Sequence, residues 1–451
     1  MSKNNTIDMV HGPLVKNILI FAIPMMGTSI LQILFNAVDT VVVGKFAGEI
    51  ALAAVGATGS LCFLLTSLFN GLSMGSNVVI ATAIGRKDED SIQKAVHTAI
   101  TLAGASGIVL AFLGIFLSKP LLNLMSTPSD IIDLSTLYMR IYFMGAFFML
   151  LYNFGSSILR SKGETKKPLY FLAISGVLNV VLNLIFVIYL HMSVAGVAIA
   201  TVISNALSAY LVLSTLMKTK DITHLDVHKL GVDSKMALDI IKIGIPAGIQ
   251  GMVFSLSNVV IQSSINSFDS STIIAGNSAG ANIEGFVYIG MTAFSQACIT
   301  FTGQNMGAKN YKRIPHIVWM TLLFTIIGGF GIGFTMWTFG DFFLSFYTNE
   351  SAVVVVGMIR LTYVALLLVL NGILDVFVCS LRGMGHSSVP TIIMIIGICG
   401  VRLLWIATVF SHYRTLESIY MCFPVSWIVT GIVEGIVWFR KYRMLGNVHE
   451  R

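Results

Sequence analysis

The stretch "LFNAVDTVVVG", Leu34–Gly44, places one aspartate, Asp39, in an apolar run. From Asn17 to Val43 the chain has no other Asp, Glu, Lys or Arg, which makes 27 residues with a single charge. A membrane-spanning helix needs about 20 residues, so this run is read as a span. An ionisable group at the bilayer centre costs at least roughly 2.5–3.5 kcal/mol. Asp39 therefore needs a compensating environment or a task.

The same character extends along the chain. Of 451 residues, 55% are hydrophobic and 11% are charged, and mean hydropathy is +0.85. Soluble domains carry about 25% charged residues. The polar N-terminus, followed by too long an apolar run, does not read as a cleaved signal peptide. The net charge of +7 sits in short segments between apolar runs, with no basic domain, so nucleic acid is not an expected partner. The five cysteines fall in apolar segments without a CxxC pair and read as small apolar residues.

Apolar runs between polar breaks give twelve expected spans: 14–43, 51–84, 93–117, 134–159, 169–190, 194–217, 236–268, 272–303, 314–340, 352–381, 388–411 and 416–439. With the N-terminus inside, 22 of the 28 Lys and Arg fall on inner segments and inner helix ends. Lys45, Lys119, Arg140, Arg360 and Arg414 fall on outer ones, and Arg402 alone lies deep in a span. This bias predicts cytoplasmic termini.

The second half repeats the first 222 residues on. Pro24 falls on Pro246 and Asn36 on Asn258. "AIGRK" (83–87) falls on "NMGAK" (305–309), and "LRSKGETKKP" (159–168) on "LRGMGHSSVP" (381–390). Six spans per half leave both halves in one orientation, a parallel repeat about an axis along the membrane normal. The expected organisation is an N-lobe over 1–217, a cytoplasmic linker over 218–235 and a C-lobe over 236–451. Two such bundles suit alternating access.

Gln32, Asn36 and Asp39 are spaced i, i+4, i+7 and share one helix face. The fifth span offers Asn179 and Asn183, also on one face, and the sixth offers Thr201. A carboxylate, two amides and a hydroxyl could hold a small cation or stabilise a carboxyl that takes up a proton. The alternative is a polar cluster gluing helices, which needs amides and hydroxyls but no charge. In the second half, Glu284 and Asp375 are intramembrane acids and candidates for the substrate cavity, together with Arg402, Gln32, Asn36, Asn153 and Asn258. An Asp375–Arg402 ion pair is the structural alternative.

Together these motifs resemble the multidrug and toxic compound extrusion (MATE) family of cation-coupled antiporters. "NAVDTVVVG", "AIGRK", "GQNMGAK", "LRSKG", "LRGMGHS" and "LNVVLN" carry the resemblance over nearly the whole chain. It implies an all-α membrane protein of twelve helices in two six-helix lobes, V-shaped with a central cavity. It implies expulsion of organic, often cationic, compounds in exchange for H⁺ or Na⁺, with no other cofactor and no enzymatic step. Asp39 matches the family's first-helix aspartate, the coupling carboxylate. Asn179 and Thr201 match the fifth-helix asparagine and a sixth-helix threonine. Asn183 departs, since many relatives carry a second aspartate there; that loss weakens a Na⁺ site more than a protonation site. A monomer in a bacterial inner membrane is expected.

Three rival readings remain. A lipid-linked sugar flippase of the same wider superfamily would need more cavity Arg and Lys. An embedded enzyme would need a catalytic cluster, and HExxH, GxSxG and Walker A motifs do not occur. A channel would not need acids in both halves.

Overall fold

The computed structural model describes residues 7–447, and these are helical with no strands among them. The helices are α1 Leu14–Phe46, α2 Glu49–Arg86, α3 Glu89–Leu124, α4 Ile132–Met144, α5 Ala146–Ser161, α6 Lys166–Tyr189 and α7 Ser193–Lys218. They continue as α8 Ser234–Asn266, α9 Ser271–Gly307, α10 Tyr311–Thr338, α11 Gly340–Ser345, α12 Ser351–Gly383, α13 Ser388–Phe410 and α14 Leu416–Asn447.

Ten of these helices are long and apolar enough to cross a membrane, and α4 with α5, bent by 46° at Gly145, makes an eleventh span. The twelfth expected span is α9, which is 37 residues long but too polar for the same test. Its polarity has a structural reason. It packs against α10 and both halves of α12, and Asn277, Ser295, Thr300, Thr302 and Asn305 along it are buried. The short α11 was not anticipated from hydropathy. Large apolar side chains such as Phe112, Phe116, Trp319, Phe330 and Ile396 are exposed instead, as suits a surface solvated by lipid.

The backbone repeats as the sequence does. Lys87 and Lys309, equivalent at the 222-residue offset, both take left-handed conformations, with φ 57° and 55°. Gly163 and Gly385, also equivalent, sit at φ 90° and 86°, where a side chain is strained. The π-helical turn Ile185–Tyr189 that ends α6 has its counterpart in Ile406–Phe410 at the end of α13.

The chain forms two compact units. One holds Gly27–Met252; the other holds Met9–Met26 with the chain from Val253 on. Packing therefore divides α1 and α8 within their own lengths, just beyond Pro24 and Pro246. In the first unit, Val42, Val43, Ala54, Val187 and Val197 form a core around the C-terminal part of α1. In the second, Ile261, Met291, Leu374, Ile398 and Trp427 belong to the main core.

The segment between α7 and α8 is held to the first unit by side-chain and backbone bonds. Gln93 Nε2 donates to the Ile222 carbonyl (2.8 Å), the Asp226 amide to His97 Nε2 (3.1 Å) and the Asp233 amide to Thr98 Oγ1 (2.9 Å). Lys162, in the loop between α5 and α6, donates to Asp221 at 2.8 Å and Thr223 at 3.2 Å. Partial burial raises the Asp221 pKa, but the bonds from Lys162 and Thr223 outweigh it and hold the carboxyl down at about 2.

Candidate functional site

In the first unit, α1, α6 and α7 bring four of the predicted residues together. Asn183 Nδ2 donates to both Asp39 Oδ1 and Asn179 Oδ1, the latter at 3.1 Å. Asn179 Nδ2 donates to Thr201 Oγ1 at 3.4 Å. Thr201 in turn donates to the Val197 carbonyl at 3.0 Å and also reaches the Asp39 carboxyl. Asn183 is fully buried and Asn179 nearly so, while Asp39 is half-buried.

The sequence builds this arrangement locally. The i, i+4 spacing stacks Asn179 over Asn183 on one face of α6. Gly176 lies one turn earlier on α6 against the Phe35 ring of α1; a Cβ there would overlap the ring. That close approach brings the amides to Asp39. The π-helical turn Ile185–Tyr189 starts two residues after Asn183, and such turns occur frequently at functional sites.

The Asn183 carbonyl oxygen is buried and has no hydrogen-bond partner. A buried unpaired acceptor costs roughly 1–3 kcal/mol. It lies on the residue whose Nδ2 binds Asp39.

The other predicted residues are dispersed. Gln32, Asn36 and Asn258 are exposed, and the Asn36 backbone carbonyl accepts from Thr40. Asn153 donates from Nδ2 to Asn70 Oδ1 at 2.9 Å. In the second unit, Asp375 interacts electrostatically with Tyr288 and Arg382.

Two arginines of the second unit take partners that the sequence reading did not name. Arg360, placed by sequence among the outer helix ends, is 7% exposed and ion-paired with Glu284 at 2.6 Å. Arg402, considered as a partner for Asp375, instead donates from Nε to Ser426 at 3.2 Å and stacks 4.3 Å over the Phe423 ring. The physical reason is tertiary packing: α9 brings Glu284 to Arg360 and α14 brings Ser426 and the Phe423 ring to Arg402.

Sequence reasoning missed the members that complete this network. Asn277 Oδ1 accepts from Arg360 (2.6 Å) and from the Tyr420 hydroxyl (3.1 Å), and Asn277 Nδ2 donates to Gln262 (3.0 Å). The available signal was Glu284 itself, because an acid in the middle of a span requires a partner.

The MatE family model matches residues 24–185 and 246–407, one copy per repeat. The chain belongs to the MATE family. A probable multidrug resistance protein of Bacillus subtilis, YoeA, is 28% identical to this MATE chain, covering 94% of each. An FAD transporter of Shewanella oneidensis is 24% identical, covering 88% of each. The solved structure of a multidrug resistance MATE transporter in an outward-facing conformation matches with a TM-score of 0.91 at 21% identity, covering 99% of both chains. The fold is the MATE fold, and the protein is a multi-pass membrane transporter of a multidrug efflux family.

Proposed function

We propose that this MATE protein is a secondary antiporter that expels small organic compounds by alternating access, with Asp39 as the coupling carboxylate and H⁺ as the ion exchanged. The observation that carries the reading is Asp39 bonded by Asn183, whose own carbonyl oxygen is left without a partner. One carboxylate among neutral amides and a hydroxyl is balanced by one proton. A Na⁺ ion is better served by the second acidic group that Asn183 replaces. Coupling requires that ion and cargo favour opposite conformations. In this reading the protein acts as a monomer in a bacterial inner membrane with both termini cytoplasmic. Residues 1–217 and 236–451 are its two repeats.

A cationic cargo was expected from the intramembrane acids of the second half. Glu284 is committed to Arg360, which leaves Asp375, of the two acids expected in the cavity, for such a cargo. A second reading, a cargo that carries an acidic group, is favoured by the two buried guanidiniums beside Glu284. The relative named as an FAD transporter is in keeping with it.

The test uses proteoliposomes with wild type and Asp39→Asn. A pH gradient, acidic on the side the cargo leaves towards, is expected to drive efflux of a fluorescent organic dye by wild type only. A Na⁺ gradient is expected to leave efflux unchanged. Equal efflux by well-inserted Asp39→Asn would overturn the assignment of Asp39.

A further inference from the structure

Two buried arginines of the second unit, Arg360 and Arg402, are satisfied to different degrees. Glu284 Oε2 accepts two bonds from Arg360, from Nε at 3.1 Å and from Nη2 at 2.6 Å. Asn277 takes the remaining arginine amine at 2.6 Å. That arginine is satisfied. Arg402 is not. It is 6% exposed, yet its only hydrogen bond among the described residues runs from Nε to Ser426. Its two terminal amines have no protein partner, although the charges of Glu284 and Arg360 act on it. Both guanidiniums lie over Phe423, Arg402 at 4.3 Å and Arg360 at 5.6 Å from the ring centroid. An aromatic face offsets only part of the cost of burying a cation.

The backbone singles out the same place. Arg402 sits between two π-helical turns, Ile395–Gly400 and Ile406–Phe410, and Arg360 immediately precedes a third, Leu361–Ala365. The internal repeat gives the cluster a counterpart. The residues 222 positions before Glu284, Arg360, Arg402 and Phe423 are Cys62, Tyr138, Val180 and Thr201. Thr201 belongs to the Asp39 site, Val180 adjoins Asn179, and the charge of Asp39 acts on Tyr138. The guanidinium cluster thus occupies, in the second repeat, the positions that surround the coupling carboxylate in the first.

We propose that Arg402, with Phe423 beneath it, is the subsite for the carboxylate of an organic cargo. The inference rests on the reading of this chain as an exporter of organic compounds and names the cargo's chemical class. The two free terminal amines form a planar fork that matches the two oxygens of a carboxylate. Phe423, buried in the core, holds the guanidinium from behind and leaves the fork to the ligand. A zwitterion meets the same requirement, its cationic end being left for an acid elsewhere.

The test measures equilibrium binding to purified protein in detergent by fluorescence anisotropy. The probes are a rhodamine with a free carboxylate and the methyl ester of the same dye. Wild type is expected to bind the acid about tenfold more tightly than the ester, the scale of one charge-assisted bond. Arg402→Met should remove that preference by weakening the acid alone. Arg402→Lys, which keeps the charge but loses the fork, should retain part of it and serves as the folding control. Equal binding of the two dyes by wild type, tighter binding of the ester, or no measurable binding of the acid would overturn the proposal. So would an Arg402→Met protein that loses both dyes equally. No gradient is present, so the result does not depend on whether Asp39 couples transport.

Discussion

Glu284 on α9 and Arg360 on α12 are ion-paired at 2.6 Å, with side chains 16% and 9% exposed. A buried pair is weak evidence for net stability, but removing one partner strands a charge, at a cost of roughly 3–5 kcal/mol. Glu284→Gln is therefore expected to lower the thermal stability of the purified transporter markedly. The double variant Glu284→Met, Arg360→Met should recover much of the loss. Melting curves in detergent of Glu284→Met, Arg360→Met and the double variant check this, and a double loss equal to the sum of the two single losses would show that the pair is not coupled.

At the proposed coupling site, Asn183→Asp adds a second carboxylate beside Asp39. The expected outcome is Na⁺-stimulated efflux in a protein that otherwise responds to the pH gradient, because two adjacent acids favour a bound cation. Transport with and without Na⁺ at fixed pH reads it directly. Unchanged ion dependence would mean that position 183 does not set coupling-ion choice.

The segment between α7 and α8 should loosen in acid. The Asp221 pKa lies at about 2, below the ordinary carboxylate value of 3.8, chiefly through the bonds from Lys162 and Thr223 that overcome the effect of burial. A depressed folded pKa contributes stability above the unfolded value and loses it as pH falls through the folded one. The Thr223 amide, bonded to Asp221 at 2.9 Å, is expected to stay protected from hydrogen exchange down to about pH 4 and to lose protection towards about pH 2. Lys162→Met should move that loss upward, towards the ordinary carboxylate range. An unchanged midpoint would assign the depression to Thr223 alone.

Much of this was legible in the sequence because it depends on periodic or local features. Apolar run length marks α1 or α13, and a fixed offset pairs Lys87 with Lys309 and Gly163 with Gly385 without knowledge of packing. Asp39 announces itself because a lone charge in a 27-residue, mostly apolar run needs a reason. The Asn179–Asn183 pair follows from helical spacing. The partners of Arg360 were hidden for the opposite reason. Its partner lies 76 residues away, and its membership in a buried network depends on tertiary contact with Asn277, Tyr420 and Phe423. The π-helical turns beside Asn183, Arg360 and Arg402 leave no hydropathy signal, since a one-residue change in backbone pairing alters no composition. Span length also could not reveal the bend at Gly145 or that packing divides α1 and α8 internally.

The close approach of α2 and α8 inside the first unit supplies the last expectation. A Cβ on Gly248 would sit 2.6 Å from both the Cα and the carbonyl oxygen of Leu68, and one on Gly244 2.6 Å from the Cα of Leu72. These obstacles are backbone atoms, so no rotamer change relieves them. Small residues at such contacts let membrane helices pack where no hydrophobic force drives association. Gly248→Ala is expected to destabilise the protein by roughly 1–3 kcal/mol and to reduce the yield of monodisperse transporter. Gly59→Ala, in the same α2 but with open space around its added Cβ, should be neutral or slightly stabilising, because alanine is the better helix former. Size-exclusion profiles and melting temperatures of the two variants separate the effects. If Gly248→Ala melts with wild type while Gly59→Ala does not, the α2–α8 contact does not limit stability.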